Sequence, residues 1–257
     1  MNYSIKTPIK DVVAEDFRSA AIFQKYGLDF CCGGARPIGE ACSAKGFDPA
    51  ELLLELDTMT GTPRNGMPKF NTWDADLLAD YIVENHHRYV KDVLPAIGQH
   101  AEKVARVHGA HRPELVSVAE AFDRVARDLT AHMEKEEQVL FPYMKSLALS
   151  RRKGLVISSP AFGTVRNPIR MMEAEHVAAG DEMAEIRKLT GNYTPPMDAC
   201  ATYRVLFQEL EAFEQDLHVH VHLENNILFP KAVALEAELR VPVVAASSCA
   251  LSEPYAG

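Results

Sequence analysis

Long apolar runs are missing from this chain. Nothing in its 257 residues approaches the roughly 20 consecutive apolar positions of a membrane-spanning helix, which excludes an integral helical membrane protein. Basic charge is scarce as well: 27 Lys and Arg stand against 36 Asp and Glu, for a formal charge of −9. That balance argues against unassisted binding to nucleic acid or anionic membranes. The first residues lack the basic-then-apolar pattern of a secretory signal. Cysteines number five, two of them adjacent, which makes no disulfide framework. A soluble protein of the reducing cytoplasm is the expectation, and a hydrophobic content of 47% is ample for a core.

What the chain does have is a repeated pattern, His132-Met133-Glu134-Lys135-Glu136 and His220-Val221-His222-Leu223-Glu224. Each sets a histidine four residues before a glutamate and runs on into Leu-Phe-Pro, at Leu140-Phe141-Pro142 and Leu228-Phe229-Pro230. On a helix, positions i and i+4 share a face, so imidazole and carboxylate can reach one metal ion.

Gly, Pro and Asn collect over residues 60–71, which reads as a linker. Ahead of it, residues 1–59 form a small unit, helical near 11–26 and 48–59, with a turn-rich stretch Gly27–Gly39 that carries Cys31-Cys32. A unit of this size is marginal alone and would lean on the rest of the chain or on a partner. Residues 72–240 hold four long helical patterns broken near Gly109–Arg112, Ser150–Val165 and Gly191–Pro196. Such breaks fit an antiparallel four-helix bundle. Residues 241–257 show no helical period and read as a flexible tail. The fold class is all-α.

Core-facing stripes on bundle helices recur at alternating steps of three and four. They run Val83, His87, Val90, Leu94, Ile97, Ala101, Val104 in the first helix, and Leu115, Val118, Phe122, Val125, Leu129, His132, Glu136, Val139 in the second. The third gives Ile169, Met172, His176, Ala179, Met183, Ile186, and the fourth Leu206, Leu210, Phe213, Leu217, His220, Glu224, Ile227. Each stripe is apolar except for ligand types. Four buried histidines and two buried carboxylates left unpaired would cost several kcal/mol each, and shared metal ions offset that cost. Helix depth agrees for the first pair, since His87 lies 22 residues before Gly109 and His132 lies 21 after His111.

A rival set exists. Glu84 to His87 and Glu173 to His176 are both Glu-x-x-His, the pattern of di-iron carboxylate bundles. Glu84 and Glu173 sit one residue off the stripes, so the histidine-rich set is preferred. His218 and His222 lie off the stripe and would be surface residues or line an access path; His86, His100, His108 and His111 carry no clear signal. Imidazole with carboxylate disfavours calcium and magnesium and lacks the thiolates of structural zinc. Two imidazoles per metal and two bridging carboxylates leave open positions, which suits non-haem iron and diatomic ligands, while manganese and zinc fit the ligand types too.

Cys31 and Cys32 are the second chemical feature. A disulfide between adjacent cysteines distorts the peptide and is easily reduced. Gly33-Gly34 lets the backbone turn tightly and exposes the sulfurs. Thiol or electron exchange, transient iron holding and partner docking are the roles this pair could fill, against a plain reading as two small buried hydrophobes. Cys42, Cys200 and Cys249 look incidental.

Over residues 5–235 the chain resembles the repair-of-iron-centres family, di-iron proteins with a hemerythrin-like (HHE) domain. The resemblance rests on Phe23-Gln24-Lys25-Tyr26 leading into Asp29-Phe30-Cys31-Cys32-Gly33-Gly34, on His87 followed by Leu94-Pro95, and on His132 to Glu137, Met172 to His176 and His220 to Asn226. It implies two non-haem iron ions in a bridged centre, with His87, His132, His176 and His220 as ligands and Glu136 and Glu224 bridging. It further implies restoration of iron-sulfur clusters damaged by nitric oxide or oxidants, or binding and reduction of nitric oxide. Expected partners are therefore damaged iron-sulfur proteins, nitric oxide or oxygen, and an electron donor that the sequence does not identify; a homodimer is compatible. A scavenger or sensor that binds gas without turnover is the alternative. The stretch Arg151–Val165 and the tail depart from the family pattern, away from the expected ligands.

Overall fold

The computed structural model describes residues 3–62 and 68–240. The expected tail lies outside the described residues, as does the middle of the expected linker. Four short helices come first: α1 (Ile9–Glu15), α2 (Ser19–Lys25), α3 (Ile38–Lys45) and α4 (Pro49–Thr60). A 3₁₀ turn at Phe70–Thr72 leads into α5 (Ala75–Ile82), α6 (Arg88–His108), α7 (Glu114–Lys135), α8 (Phe141–Lys153), α9 (Arg166–Leu189), α10 (Ala201–Leu223) and α11 (Phe229–Leu239). No strand occurs among the described residues, and no helix there is long and apolar enough to cross a membrane. The protein is all-α.

α5 and α6 form one rod joined by a π-helical turn, Val83–His87; α7 and α8 form another through Glu136–Leu140, and α10 and α11 a third through Glu224–Leu228. With α9 these make four rods. A π turn carries one more residue than an α turn and so rotates the apolar face beyond it. This explains a difference from the expected stripes. Val139 is half exposed and Leu140 is buried in its place; likewise Ile82 is buried and Val83 only partly so. Pro142 and Pro230 stand at the start of the helices that resume after two of these turns, where a missing N–H leaves no ladder bond unmade. The other stripe residues of α6 and α7, from Val90 to Val104 and from Leu115 to Leu129, are buried as their spacing requires.

The N-terminal unit differs from its expected helices. The stretch 11–26 breaks at Asp16, whose extended backbone ends α1 and whose carboxylate accepts from Arg18. The helix α3 follows the turn-rich segment. Its apolar positions show no period, but it closes on Gly46 with φ of 78°, a left-handed stop that favours glycine. The unit does lean on the bundle: Phe23, Phe30, Leu52 and Leu56 belong to the same apolar cluster as Leu129, Met183, Leu217 and Val221. A second cluster joins α5, α8, α11 and the start of α9, around Ile82, Phe141, Met172 and Phe229.

Candidate metal centre

Between the two apolar clusters lies a polar layer. His87, His132, Glu136, His176, His220 and Glu224 are all at most 2% exposed. They fall into two groups whose ligand atoms lie within 4.8 Å of one another: His87, His220, Glu136 and Glu224 in one, His132, His176 and the same two glutamates in the other. The three π turns sit at this layer, ending at His87 or beginning at Glu136 and Glu224. Glu84 and Glu173, the rival carboxylates, are exposed on the outside.

The imidazoles are aimed. His87 Nδ1 lies 2.8 Å from Glu137 Oε1, His132 Nδ1 2.8 Å from Glu175 Oε2, and His176 Nδ1 2.8 Å from Asn225 Oδ1. Lys91 holds Glu137 at 2.6 Å, and Lys135 pairs with Glu175. With Nδ1–H directed outward to these acceptors, each ring presents its Nε2 to the interior, the arrangement of metal-bound histidines. Two pairs result: His87 Nε2 is 3.1 Å from His220 Nε2, and His176 Nε2 is 3.0 Å from His132 Nε2. Glu224 reaches both pairs, at 2.9 Å from His220 and 3.0 Å from His176, and Glu136 lies 3.4 Å from His87 and 3.3 Å from His132. Both oxygens of Glu136 are buried without a hydrogen-bond partner, and Glu224 Oε2 has His176 Nε2 beside it at 3.0 Å. Facing nitrogen lone pairs beside orphaned carboxylate oxygens call for a cation in each pair.

Without metal, protons supply that charge. Burial pushes His87 down, but Glu136 and Glu224 outweigh it and raise the ring to about 10. Burial acts likewise on His176, and Glu224 carries it up to about 9. His220 is lowered by burial and stays neutral. Burial opposes ionisation of Glu136 and Glu224, yet the surrounding imidazoles hold both below the ordinary glutamate value. Burial lowers His132 as well, but Glu136 raises it on balance, so at least one protonated ring in each pair stands where a metal would, beside the two carboxylates.

The Cys31-Cys32 loop packs over this layer. Asp29 organises it, accepting from the backbone N–H of Cys31, Cys32 and Gly33 at 2.8, 3.0 and 2.7 Å. Gly34 is obligatory for close approach, because a Cβ there would meet the Phe30 carbonyl oxygen at 2.4 Å. The sulfurs are less exposed than the glycines led one to expect: Cys31 is buried and Cys32 partly so, 3.9 Å apart and unbridged. The hydrogen bond between the thiols raises Cys31 well above its ordinary value, with burial adding to it, and lowers Cys32. Cys32 is thus the more acidic of the two. A cavity of about 440 Å³ beneath the loop, between α9 and α10, is lined by Cys31, Cys32, Gly180, His218 and His176.

His222 is a residue whose role its spacing did not reveal. It is fully buried, pushed down to about 4 by that burial, and packs against Phe30 and Phe17. Its neighbour Asn226 donates to the carbonyls of Phe30 and Cys31 at 3.2 and 3.1 Å. Together they fasten the cysteine loop to the bundle. His86, equally silent in sequence, bonds Asp216 at 2.8 Å and stacks on His220. Cys42 lies in the N-terminal core and Cys200 is exposed beside His108; Cys249 is outside the described residues.

Replacing Asn226 by leucine removes the loop's two side-chain amide bonds and is expected to cost about 1–3 kcal/mol locally. Hydrogen exchange at residues 28–34 should then speed up by roughly 5- to 100-fold, with the bundle's helices unchanged. Unaltered exchange would mean that the Asp29 bonds and the packing of Phe30 secure the loop without Asn226.

Comparison with known proteins adds three findings. The model of the hemerythrin HHE cation binding domain matches residues 78–232. ScdA_N, a domain of unknown function, matches residues 5–60. Among curated proteins, the iron-sulfur cluster repair protein YtfE of Musicola paradisiaca (strain Ech703) is 36% identical over 223 residues, 86% of this chain and 93% of that one. A probable iron-sulfur cluster repair protein of Haemophilus influenzae is 34% identical over 213 residues, 82% of this chain and 90% of its own. YtfE of Yersinia pestis (strain Pestoides F) is 35% identical over 219 residues, 84% and 91%.

Proposed function

The chain belongs to the hemerythrin HHE family and, over most of its length, to the iron-sulfur cluster repair proteins, and on that premise we propose that it is a di-iron protein restoring iron-sulfur clusters damaged by nitric oxide or oxidants. One observation carries the reading. Four buried imidazoles, three with their own outward acceptor, converge in pairs on two carboxylates that reach both pairs. His87 with His220 would hold one iron, His132 with His176 the other, and Glu136 and Glu224 would bridge. Bound there, the irons would supply one-electron chemistry and open positions for a diatomic such as nitric oxide or oxygen.

The protein's own residues do the rest. Glu137, Glu175 and Asn225 fix the rings so that Nε2 stays inward. The two apolar clusters above and below close the layer off on both sides along the bundle. Cys32, held by the Asp29 loop beside His176, would exchange thiol ligands or electrons, with Cys31 keeping the proton. A reducing cytoplasm suits that pair, and damaged iron-sulfur proteins are the partners.

The test is a client enzyme whose iron-sulfur cluster has been nitrosylated. Iron-loaded wild type is expected to restore its activity, and His132→Ala to lose most of that restoration. Equal restoration by both would remove the metal site from the mechanism. The cavity under the cysteines favours a second reading, binding of a gas without turnover. Nitric oxide added to reduced protein separates the two, since only turnover yields nitrous oxide.

A further inference from the structure

The ring contacts of the four inward histidines differ in what lies behind them. His87 is stacked on Phe141 at 5.6 Å and His176 on Phe229 at 6.1 Å, and His132 meets His176. Phenyl rings are hard to oxidise, so neither stack leads a charge onward. His220 instead lies against His86, with ring centroids 5.7 Å apart and planes 11° from parallel. Tyr81 meets His86 edge-on at 5.8 Å, and Trp73 meets Tyr81 edge-on at 5.4 Å. His86 is buried and held by Asp216, whereas Tyr81 and Trp73 are both partly exposed. Trp73 is the one tryptophan of the chain. Tyrosine and tryptophan are among the side chains that give up one electron most readily.

We propose that the row His220, His86, Tyr81 and Trp73 is a discharge path, along which an electron from Trp73 quenches oxidising equivalents left at the metal layer. The proposal rests on the di-iron reading above. A fully loaded pair can give hydrogen peroxide both of the electrons it takes. A chain holding a single ferrous ion gives one, and the other oxidising equivalent stays beside the histidines. A protein that gives up iron passes through this singly loaded state. An electron from Trp73 closes the balance: Fe(II), H2O2 and the indole N–H become Fe(III), OH⁻, H2O and an indolyl radical. The indole proton is released to solvent, and a proton from solvent enters the water formed. Every step joins rings at aromatic contact distance, which matters because electron transfer falls off exponentially with separation. At the partly exposed indole a small thiol can return the hydrogen atom, RSH becoming the thiyl radical. The ligand rings are spared, and so is Cys32 beside His176, which peroxide chemistry at the layer would otherwise carry up the oxidation ladder.

The experiment loads full-length apoprotein with one ferrous ion per chain and adds hydrogen peroxide without thiol. An alcohol is present to trap free hydroxyl radical, and oxidised residues are mapped by peptide mass spectrometry. Oxygen added to Trp73 is expected in the iron protein and not in a zinc-loaded control. Tyr81→Phe keeps the ring and loses the readily oxidised phenol, and should lower that yield several-fold. Trp73→Phe should strand a tyrosyl radical, visible by electron paramagnetic resonance in rapidly frozen samples and lost on adding Tyr81→Phe. Trp73 left intact, oxidised alike with zinc, protected by the alcohol or indifferent to Tyr81→Phe would overturn the proposal and leave the di-iron reading standing. Chains that bind no iron would overturn the di-iron reading and the proposal together.

Discussion

Glu224→Gln is expected to empty both metal positions at once. Glu224 is fully buried and lies within 3.0 Å of one imidazole in each pair, His220 and His176. Glutamine keeps the shape but removes the charge, and it turns one carboxylate oxygen into an N–H donor facing the metal. Removing one partner from a buried charged group costs about 3–5 kcal/mol. In affinity that is roughly a hundred- to a few-thousand-fold for each metal. Metal analysis and chelator competition measure it, with circular dichroism to show that the helices persist. Glu137→Gln makes the contrast, because of the six expected ligands Glu137 touches one, His87, and from outside, where Lys91 also holds it. Loss of such a partner typically weakens metal binding by about 10- to 100-fold. Two metals retained by Glu224→Gln at unchanged affinity would dismiss the bridging assignment.

Much of this was legible in the sequence, because burial of a polar group is costly and the chain shows where it occurs. His132, Glu136, His220 and Glu224 interrupt apolar stripes, and the same spacing logic separates them from Glu84 and Glu173, which the structure leaves exposed. The stripes failed where they assumed an unbroken α period. π turns at Val83–His87 and Glu136–Leu140 rotate the face, so that Ile82 and Leu140 rather than Val83 and Val139 are buried. The prolines at 142 and 230 were a signal for two of the three turns, and the repeated Leu-Phe-Pro carried it. His222 and His86 were not legible. Their roles depend on the Phe30 carbonyl and on Asp216, 192 and 130 residues distant, and no local period records such partners. The same holds for the seating of the cysteine loop over His176, which comes from packing between the N-terminal unit and α10.

Metal binding should strengthen steeply with pH, releasing at least about two protons per fully loaded chain near neutrality. The sign follows from the metal-free site. His87 and His176 are raised to about 10 and about 9 by Glu136 and Glu224, so both rings are protonated at pH 7. A metal can take an Nε2 only after its proton leaves, which couples affinity to pH. Loading in weak buffer, or calorimetry in buffers of different ionisation enthalpy, counts the protons. Stability of the metal-free protein runs the other way. Histidines raised above their unfolded value of about 6.5 contribute stability that is complete below that pH and lost as pH climbs through 9 to 10. The depressed glutamates contribute above about 4.5 and lose it in acid. Between pH 6 and 9, then, the metal-free protein does not gain stability from these groups while the loaded protein binds its metals more tightly. The gap in Tm between loaded and metal-free protein should therefore widen as pH rises. A gap that stays constant over this range, with no proton release, would mean that the four imidazoles are already neutral and that the carboxylates, rather than protonated rings, carry the charge of the empty site.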